Sequence, residues 1–400
     1  MSPGNLPGAI EGETCAGQEQ SKGKPRIGVC HIASGDLWAG AEVQVATLLK
    51  YLMRETSLHV FAMILNPGRL ADEIRSCGIE TKVIPENENG LRAITREGMN
   101  FLKGRNIQIL HSHRYKENLL AALLAWRLGI PHVVRTQHGL PEPQTGTRRV
   151  KQRLIQSADR FLARRAADRV ISVSAEMSRH LAHQIKPRSI VTIPNGVDLE
   201  WVRSRFTTQE ARERLGIPAD SSVIGTAGRL EPVKRLDIFL RAAAVLSRER
   251  AATRFVIAGE GREAANLKAL AASLGIAERV LFLGHRDDVF DVLRAFDLLV
   301  LSSDQEGLPM ALLEALCLGV VVVARAVGGI PGIIQNDVNG ILVDGDDPST
   351  LARACLRALG DRALSERLKE AGASSVRNNF SAATTARQVT QLYGSLIAHS

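Results

Sequence analysis

Two glutamates, Glu306 and Glu314, stand in the stretch LSSDQEGLPMALLEALCLG (301–319) with seven residues between them. The apolar run before Glu306 reads as a buried strand that emerges into a loop. Pro309 suits the first turn of a following helix, where a missing N–H costs nothing, and Gly319 suits its end. Glu306 then belongs to a loop at a strand's carboxyl end, and Glu314 to the helix behind it. The free N–H groups at Gly307, Leu308 and Met310 would face an anion. A plain loop charge and a plain helix-surface charge are the competing reading.

A second group of residues has matching chemistry. In GRLEPVK, Gly228, Arg229 and Lys234 follow the strand-like SVIGT. A forked guanidinium and a point-charge ammonium beside a glycine suit phosphate oxygens. In the first half, SGDLWAGAE leads from a strand into a helix, and Gly35 and Gly40 permit close backbone approach to an anion at the helix start. HSHRYKEN and TQHG also follow strands. Their His113 and His138 have the chemistry to hydrogen-bond a sugar or shuttle a proton. A zinc site on His111, His113 and His138 is a weaker rival, since no carboxylate or cysteine sits at matching spacing. GEGREA is a broken GxGxxG and reads as a turn into a helix. DGD at 344–346 reads as a turn ahead of a helix rather than a metal motif.

Residues so scattered need a frame that gathers them. Short apolar runs alternate with helical stretches from Arg26 onward: RIGVCHIA, LHVFAMIL, IQILHSH, PHVVRTQ, DRVISVS and SIVTIP. After the turn signal PNGVD the alternation restarts with SVIGTAG, RFVIAG, RVLFLG, DLLVL and GVVVVA. This is the pattern of two α/β domains, each a parallel sheet covered by helices on both faces. Ligands in such sheets bind outside the carboxyl ends of the strands, and two domains leave a cleft. All the residues named above follow strands. We divide the chain into a disordered leader (1–24), a first domain (25–199), a second (200–380) and a terminal helix (381–400).

At 400 residues the chain exceeds one ordinary core, and 45% hydrophobic with 23% charged residues is ordinary for a globular protein. Aromatics at 4% are too sparse for base-stacking platforms, and no nucleic-acid recognition motif accompanies the +9 charge. The five cysteines are scattered without pairing, which fits a reducing compartment. The leader lacks an apolar signal core, and no apolar run approaches the roughly 20 residues of a membrane span. A cytoplasmic protein is expected. Residues 148–169 carry Arg148, Arg149, Lys151, Arg153, Arg160, Arg164, Arg165 and Arg169, with Val150, Leu154, Phe161 and Leu162 between them. A basic amphipathic helix suits an anionic membrane surface; a solvated helix whose arginine stems cover a core suits the pattern equally.

WAGAE, TQHG, SVSAEMSRHL, IPNGVD, GRLEPVK, IAGEG, FLGHRDDV and SSDQEGLPMALLEALCLG, in that order, resemble the retaining glycosyltransferases of family 4 over nearly the whole chain beyond the leader. The resemblance implies the GT-B fold: two Rossmann-like domains facing across a cleft, with a terminal helix returning to the first. It implies transfer of a sugar from a UDP- or GDP-linked donor to a glycan or lipid-linked acceptor in cell-envelope or polysaccharide synthesis. No cofactor or metal is implied, because Arg229 and Lys234 would hold the donor diphosphate. Gly307, Leu308, Pro309 and Met310 would share that task, and Gly40 would approach from the opposite domain. Glu306 would contact the donor sugar, Glu314 the ribose and Arg286 the base edge. His138, with Arg229, Lys234 and Glu306, would complete the catalytic set; His113 and Asn118 would meet the acceptor. One departure stands out: the family often has a glutamate where GGIPGII has Gly332. A GT-B nucleotide-sugar epimerase and a non-catalytic nucleotide-sugar-binding subunit are the alternatives.

Overall fold

In the computed structural model, residues 26–35, 38–139, 157, 161, 166–186 and 189–398 are described. Most of the basic segment 148–169 lies outside them. Two parallel sheets form the frame. The first has seven strands: β1 (Ile27–Ser34), β2 (Leu58–Leu65), β3 (Glu80–Val83), β4 (Ile107–Ser112), β5 (His132–Gln137), β6 (Arg169–Ser172) and β7 (Ile190–Thr192). Their order is β3-β2-β1-β4-β5-β6-β7. The second has β8 (Ser222–Ala227), β9 (Thr253–Ala258), β10 (Val280–Gly284), β11 (Leu298–Leu301), β12 (Val321–Arg325) and β13 (Ile341–Val343), in the order β10-β9-β8-β11-β12-β13.

The continuous Val, Ile and Leu runs of the central strands are explained by burial on both faces. In the second sheet, Val223, Leu299 and Val322 face one core cluster, and Ile224, Val300 and Val323 face the other. The first sheet divides likewise: Val29 and Ile109 pack on one side, Cys30 and Leu110 on the other. Two strands absent from the sequence reading, β3 and β13, are both edge strands of three or four residues.

The chain crosses between the sheets twice, and the crossings are bonded together. Val197 N–H donates to the Phe380 carbonyl at 2.8 Å, and Ala382 N–H to the Val197 carbonyl at 2.9 Å. Beyond this junction the helix Ala382–Ala398 lies on the first sheet's helix Gly40–Leu52. Ala386, Val389, Leu392, Tyr393 and Leu396 join Val45, Leu48 and Leu49 in one core. The PNGVD stretch does more than turn: Asp198 accepts from Lys50 Nζ at 2.7 Å and Tyr51 Oη at 2.9 Å. Among the described residues, no helix is long and apolar enough to cross a membrane.

Candidate active site

In each sheet the strand order reverses direction at one place, between β1 and β4 in the first and between β8 and β11 in the second. Loops leaving such neighbours splay apart and leave a crevice. The two crevices face each other across a cleft of about 1200 Å³. Its lining includes Gly40, His113 and His138 from one side, and Arg229, Lys234, Arg286, Glu306 to Met310 and Glu314 from the other.

On the second side, the β8 loop and the β11 loop meet. Lys234 Nζ lies 2.7 and 3.0 Å from the two Glu306 carboxylate oxygens, and Ser303 Oγ donates to the same carboxylate at 2.6 Å. The sequence reading gave these two residues separate tasks. The structure makes them one ion pair, with Glu306 only 8% exposed. A ligand entering here meets the pair together, and an ammonium with three N–H groups retains donor capacity for it. Arg229 stands exposed at the same cleft wall.

The helix behind the loop is Met310–Cys317, so Pro309 is its extended N-cap rather than its first helical residue. Its first-turn N–H groups have no intrahelical acceptor. Gly319, at φ +72°, ends the helix in the left-handed region. Glu314 is 8% exposed and its carboxyl has no hydrogen-bond partner among the described residues; burial lifts that carboxyl to about 7. Near neutral pH it can therefore donate or accept, which suits a ligand hydroxyl.

The glycines of this loop are dictated by contact. A Cβ on Gly307 would sit 2.3 Å from the His138 carbonyl oxygen, on the opposite wall. Gly328, at φ +59°, lies so close beneath the loop that a Cβ would meet the Glu306 carbonyl oxygen at 1.9 Å. The glycine pair after β12 thus supports the Glu306 loop from behind. Gly332 is different: it is exposed, a side chain there would meet nothing within 4 Å, and it lies outside the cleft lining. Arg286 is in the lining, with its guanidinium held by Asp288 at 2.6 and 2.7 Å. GEGREA runs as a turn into the helix Ala264–Ser273, and the DGD turn precedes the helix Pro348–Gly360.

On the first side, Gly40 opens its helix directly opposite Met310; a Cβ on Gly40 would lie 3.6 Å from Met310 Cγ. Glu42, two residues on, was not singled out in the sequence. It is 2% exposed, accepts the Ala39 N–H and pairs with Arg114. Burial raises its carboxyl, while Arg114 and Arg229 act against the rise. An acid in the first turn of a helix was the available signal; its two cations are brought beside it only by the fold. Asn195, read only as part of a turn, donates to the Leu308 carbonyl at 3.4 Å.

His113 and His138 are brought together: His113 Nδ1 and His138 Nε2 are 3.1 Å apart. Asn118 stands apart from them. It is buried on the helix Tyr115–Leu128, accepts from Ser112 Oγ at 2.7 Å, and is absent from the cleft lining. The zinc reading also changes. His31, His111 and His113, not His138, have ligand atoms within 4.8 Å of one another. Those nitrogens already bond to one another, to Tyr393 or to Thr136. The rings of His111 and His113 stack at 4.5 Å and 19°, so their in-plane lone pairs run alongside rather than converge.

The chain is similar to known proteins in sequence and in fold. Residues 207–375 match the family model "Glycosyl transferases group 1", and residues 38–201 match "Glycosyltransferase Family 4". A D-inositol 3-phosphate glycosyltransferase of Salinispora arenicola is 32% identical over 72% of this chain and 69% of its own length. The UDP-Gal:alpha-D-GlcNAc-diphosphoundecaprenol alpha-1,3-galactosyltransferase of Escherichia coli is 29% identical over 74% and 78%. Among solved structures, Anabaena HepE in complex with UDP-glucose superposes with a TM-score of 0.81 at 20% identity, covering 92% of this chain and 100% of that one.

Proposed function

The chain belongs to the family 4 glycosyltransferases, retaining enzymes that draw on nucleotide-sugar donors, and we propose that it moves a sugar from a UDP-sugar to a lipid-linked glycan acceptor. The observation that carries the reading is the meeting of Lys234, Glu306 and the start of helix Met310–Cys317 at one crevice. As diphosphate leaves, negative charge grows on its oxygens. Lys234, Arg229 and the first-turn N–H groups are placed to stabilise that charge more in the transition state than in the ground state. Glu314 takes the ribose hydroxyls. The attacking hydroxyl enters on the face the diphosphate leaves, and a phosphate oxygen takes its proton. In this reading fixed cations carry the task a divalent metal would otherwise perform. Gly307 against the His138 carbonyl brings the two walls into contact at one point, and closure of the rest over a bound donor would exclude water.

The choice of a UDP donor is supported by the uridine nucleotides named for the Escherichia coli galactosyltransferase and the HepE complex. The lipid-linked acceptor is supported by the diphosphoundecaprenol of the former. The reading carries with it a cytoplasmic protein working at the inner face of the membrane. Thermal shifts with UDP and GDP test the base: UDP is expected to raise Tm, and stabilisation by GDP alone would overturn that choice. Radiolabelled UDP-galactose and UDP-glucose, with N-acetylglucosaminyl-diphosphopolyprenol as acceptor, test the transfer. Label should move into the butanol-soluble lipid. Conversion of the donor in the absence of any acceptor would point to an epimerase instead.

A further inference from the structure

Behind His138 runs a line of hydrogen bonds that the transfer reading does not use. His138 Nε2 meets His113 Nδ1 at 3.1 Å, and His113 Nε2 meets His31 Nδ1 at 3.0 Å. His31 Nε2 meets Tyr393 Oη at 3.2 Å. Tyr393 Oη meets His111 Nδ1 at 2.5 Å, and His111 Nε2 meets Thr136 Oγ1 at 2.7 Å. At both imidazole–imidazole contacts the ring centroids, 5.3 and 5.4 Å apart, exceed the N···N distances by about two ring radii. The planes differ by only 19° and 26°, so these rings meet end to end along their lone-pair directions. His31 and His111 are 0% exposed, His113 is 4% exposed and Tyr393 is 0% exposed.

The connectivity is constrained. A neutral imidazole has one N–H and one bare nitrogen. If His138 donates from Nε2, His113 must accept at Nδ1 and donate from Nε2. His31 must then do the same, Tyr393 must pass its hydroxyl hydrogen to His111 Nδ1, and His111 must donate from Nε2 to Thr136. The opposite polarity requires Nδ1–H on all four rings. A mixture puts two N–H groups or two lone pairs face to face between rings, or at Tyr393 leaves the hydroxyl hydrogen or one ring nitrogen over, and in each case a buried group lacks a partner. Burial also keeps the rings uncharged: it lowers His31 to about 3 and His138 to about 4, and pushes His111 and His113 well below the usual range.

We propose that His111, Tyr393, His31 and His113 are positioning residues that act as one single-polarity chain and set whether Nδ1 of the cleft-lining His138 carries a proton. Among the described residues, that nitrogen is buried without a partner. An orphan acceptor is tolerated better than an orphan N–H. The unliganded chain therefore runs with Nε2–H on all four rings, and His138 presents a bare Nδ1 to a hydroxyl donor. Tyr393 belongs to the terminal helix Ala382–Ala398, so this helix reaches the cleft chemistry through the chain as well as through packing.

The inference does not rest on the sugar-transfer reading, because its test needs no ligand. In full-length protein labelled with nitrogen-15 histidine at pH 7.5, long-range proton–nitrogen correlations report each ring's tautomer. Assignment uses single His→Gln variants. The four rings are expected to share the Nε2–H form. In Tyr393→Phe, His31 Nε2 loses its acceptor and either polarity leaves one orphan N–H on this run, so His31, His113 and His138 should lose their preference together and populate both tautomers, while His111 keeps Nε2–H. In Thr136→Val, a near-isosteric change at the other end, all four should lose their preference together and populate both tautomers. Unlike tautomers among the four rings in the wild type, an imidazolium among them, or an unmoved His138 in the folded variants would overturn the proposal. Circular dichroism checks folding, and the wild-type spectrum alone suffices if Tyr393→Phe does not fold.

Discussion

Where the second-domain wall of the cleft holds its ionisable groups as charges in pairs, the first-domain wall holds them largely as neutral rings in a row. Lys234 with Glu306 and Arg286 with Asp288 are ion pairs at the mouths of β-strands. His138, His113, His31 and His111 form a buried file with no counter-ion among them. The sheets beneath are of one kind, so the difference does not come from architecture. It comes from partners. Each carboxylate of the pairs has a cation at 2.6 or 2.7 Å, even at Glu306, which is only 8% exposed. The rings project from strand ends into a core closed by the terminal helix, where only neutral forms are stable. On the proposed reading, one wall meets anionic oxygens and the other discriminates hydrogen-bond donors from acceptors.

Removing the charge on the second wall should have the largest effect. Lys234→Ala is expected to lower kcat about 10²–10³-fold, the usual loss for one transition-state donor. Steady-state kinetics at saturating donor check it; near-full activity in a folded variant would remove Lys234 from the diphosphate role.

A smaller effect separates the walls by pH. The folded-state pKa values of the four imidazoles lie below the ordinary 6.5, so their contribution is complete above that pH and is lost as pH falls toward 4 and 3. Glu314, raised to about 7 by burial, behaves oppositely: its contribution is present below about 4.5 and lost as pH rises through 7. Glu117, also lifted to about 7 by burial, and Glu42, raised more modestly, oppose the imidazoles from within the first domain. Four rings outnumber three carboxyls, so wild-type Tm should fall between pH 6.5 and 4.5. Glu314→Gln removes one opposing slope and should steepen that fall by up to about 1.4 kcal/mol per pH unit. Thermal melts across the window decide it; an unchanged slope would mean that Glu314 ionises normally.

The smallest effect belongs to the contact between the walls. Arg69 of the first domain reaches Asp287 of the second at 2.6 Å, and Asp287 is 76% exposed. Arg69→Ala should change stability by no more than about 1 kcal/mol, and less at high salt. A larger loss, measured by chemical denaturation, would make this pair a structural clamp between the domains.

Much of this was legible because central parallel strands are buried on both faces and leave continuous apolar runs. Those runs located the loops after β8 and β11, and hence Arg229, Lys234, Glu306 and Glu314. The edge strands β3 and β13 were missed for the converse reason. Half-exposed ETKV and three-residue ILV leave no such run. Asn118 drew attention because a polar residue just after a strand looks like a site residue; its bond to Ser112 is a contact only the folded helix brings about.

Local spacing, then, determined the two parallel sheets, the restart after Asp198 and the residue types on the strand-end loops, since these depend on periodicity within a few residues. Tertiary structure alone decided which of them meet. Lys234 and Glu306 are 72 positions apart, and Tyr393 is 362 positions from His31. Contacts at such separations are set by how sheets face and where the last helix returns, and hydrogen-bond polarity along a buried file has no signature in composition or spacing.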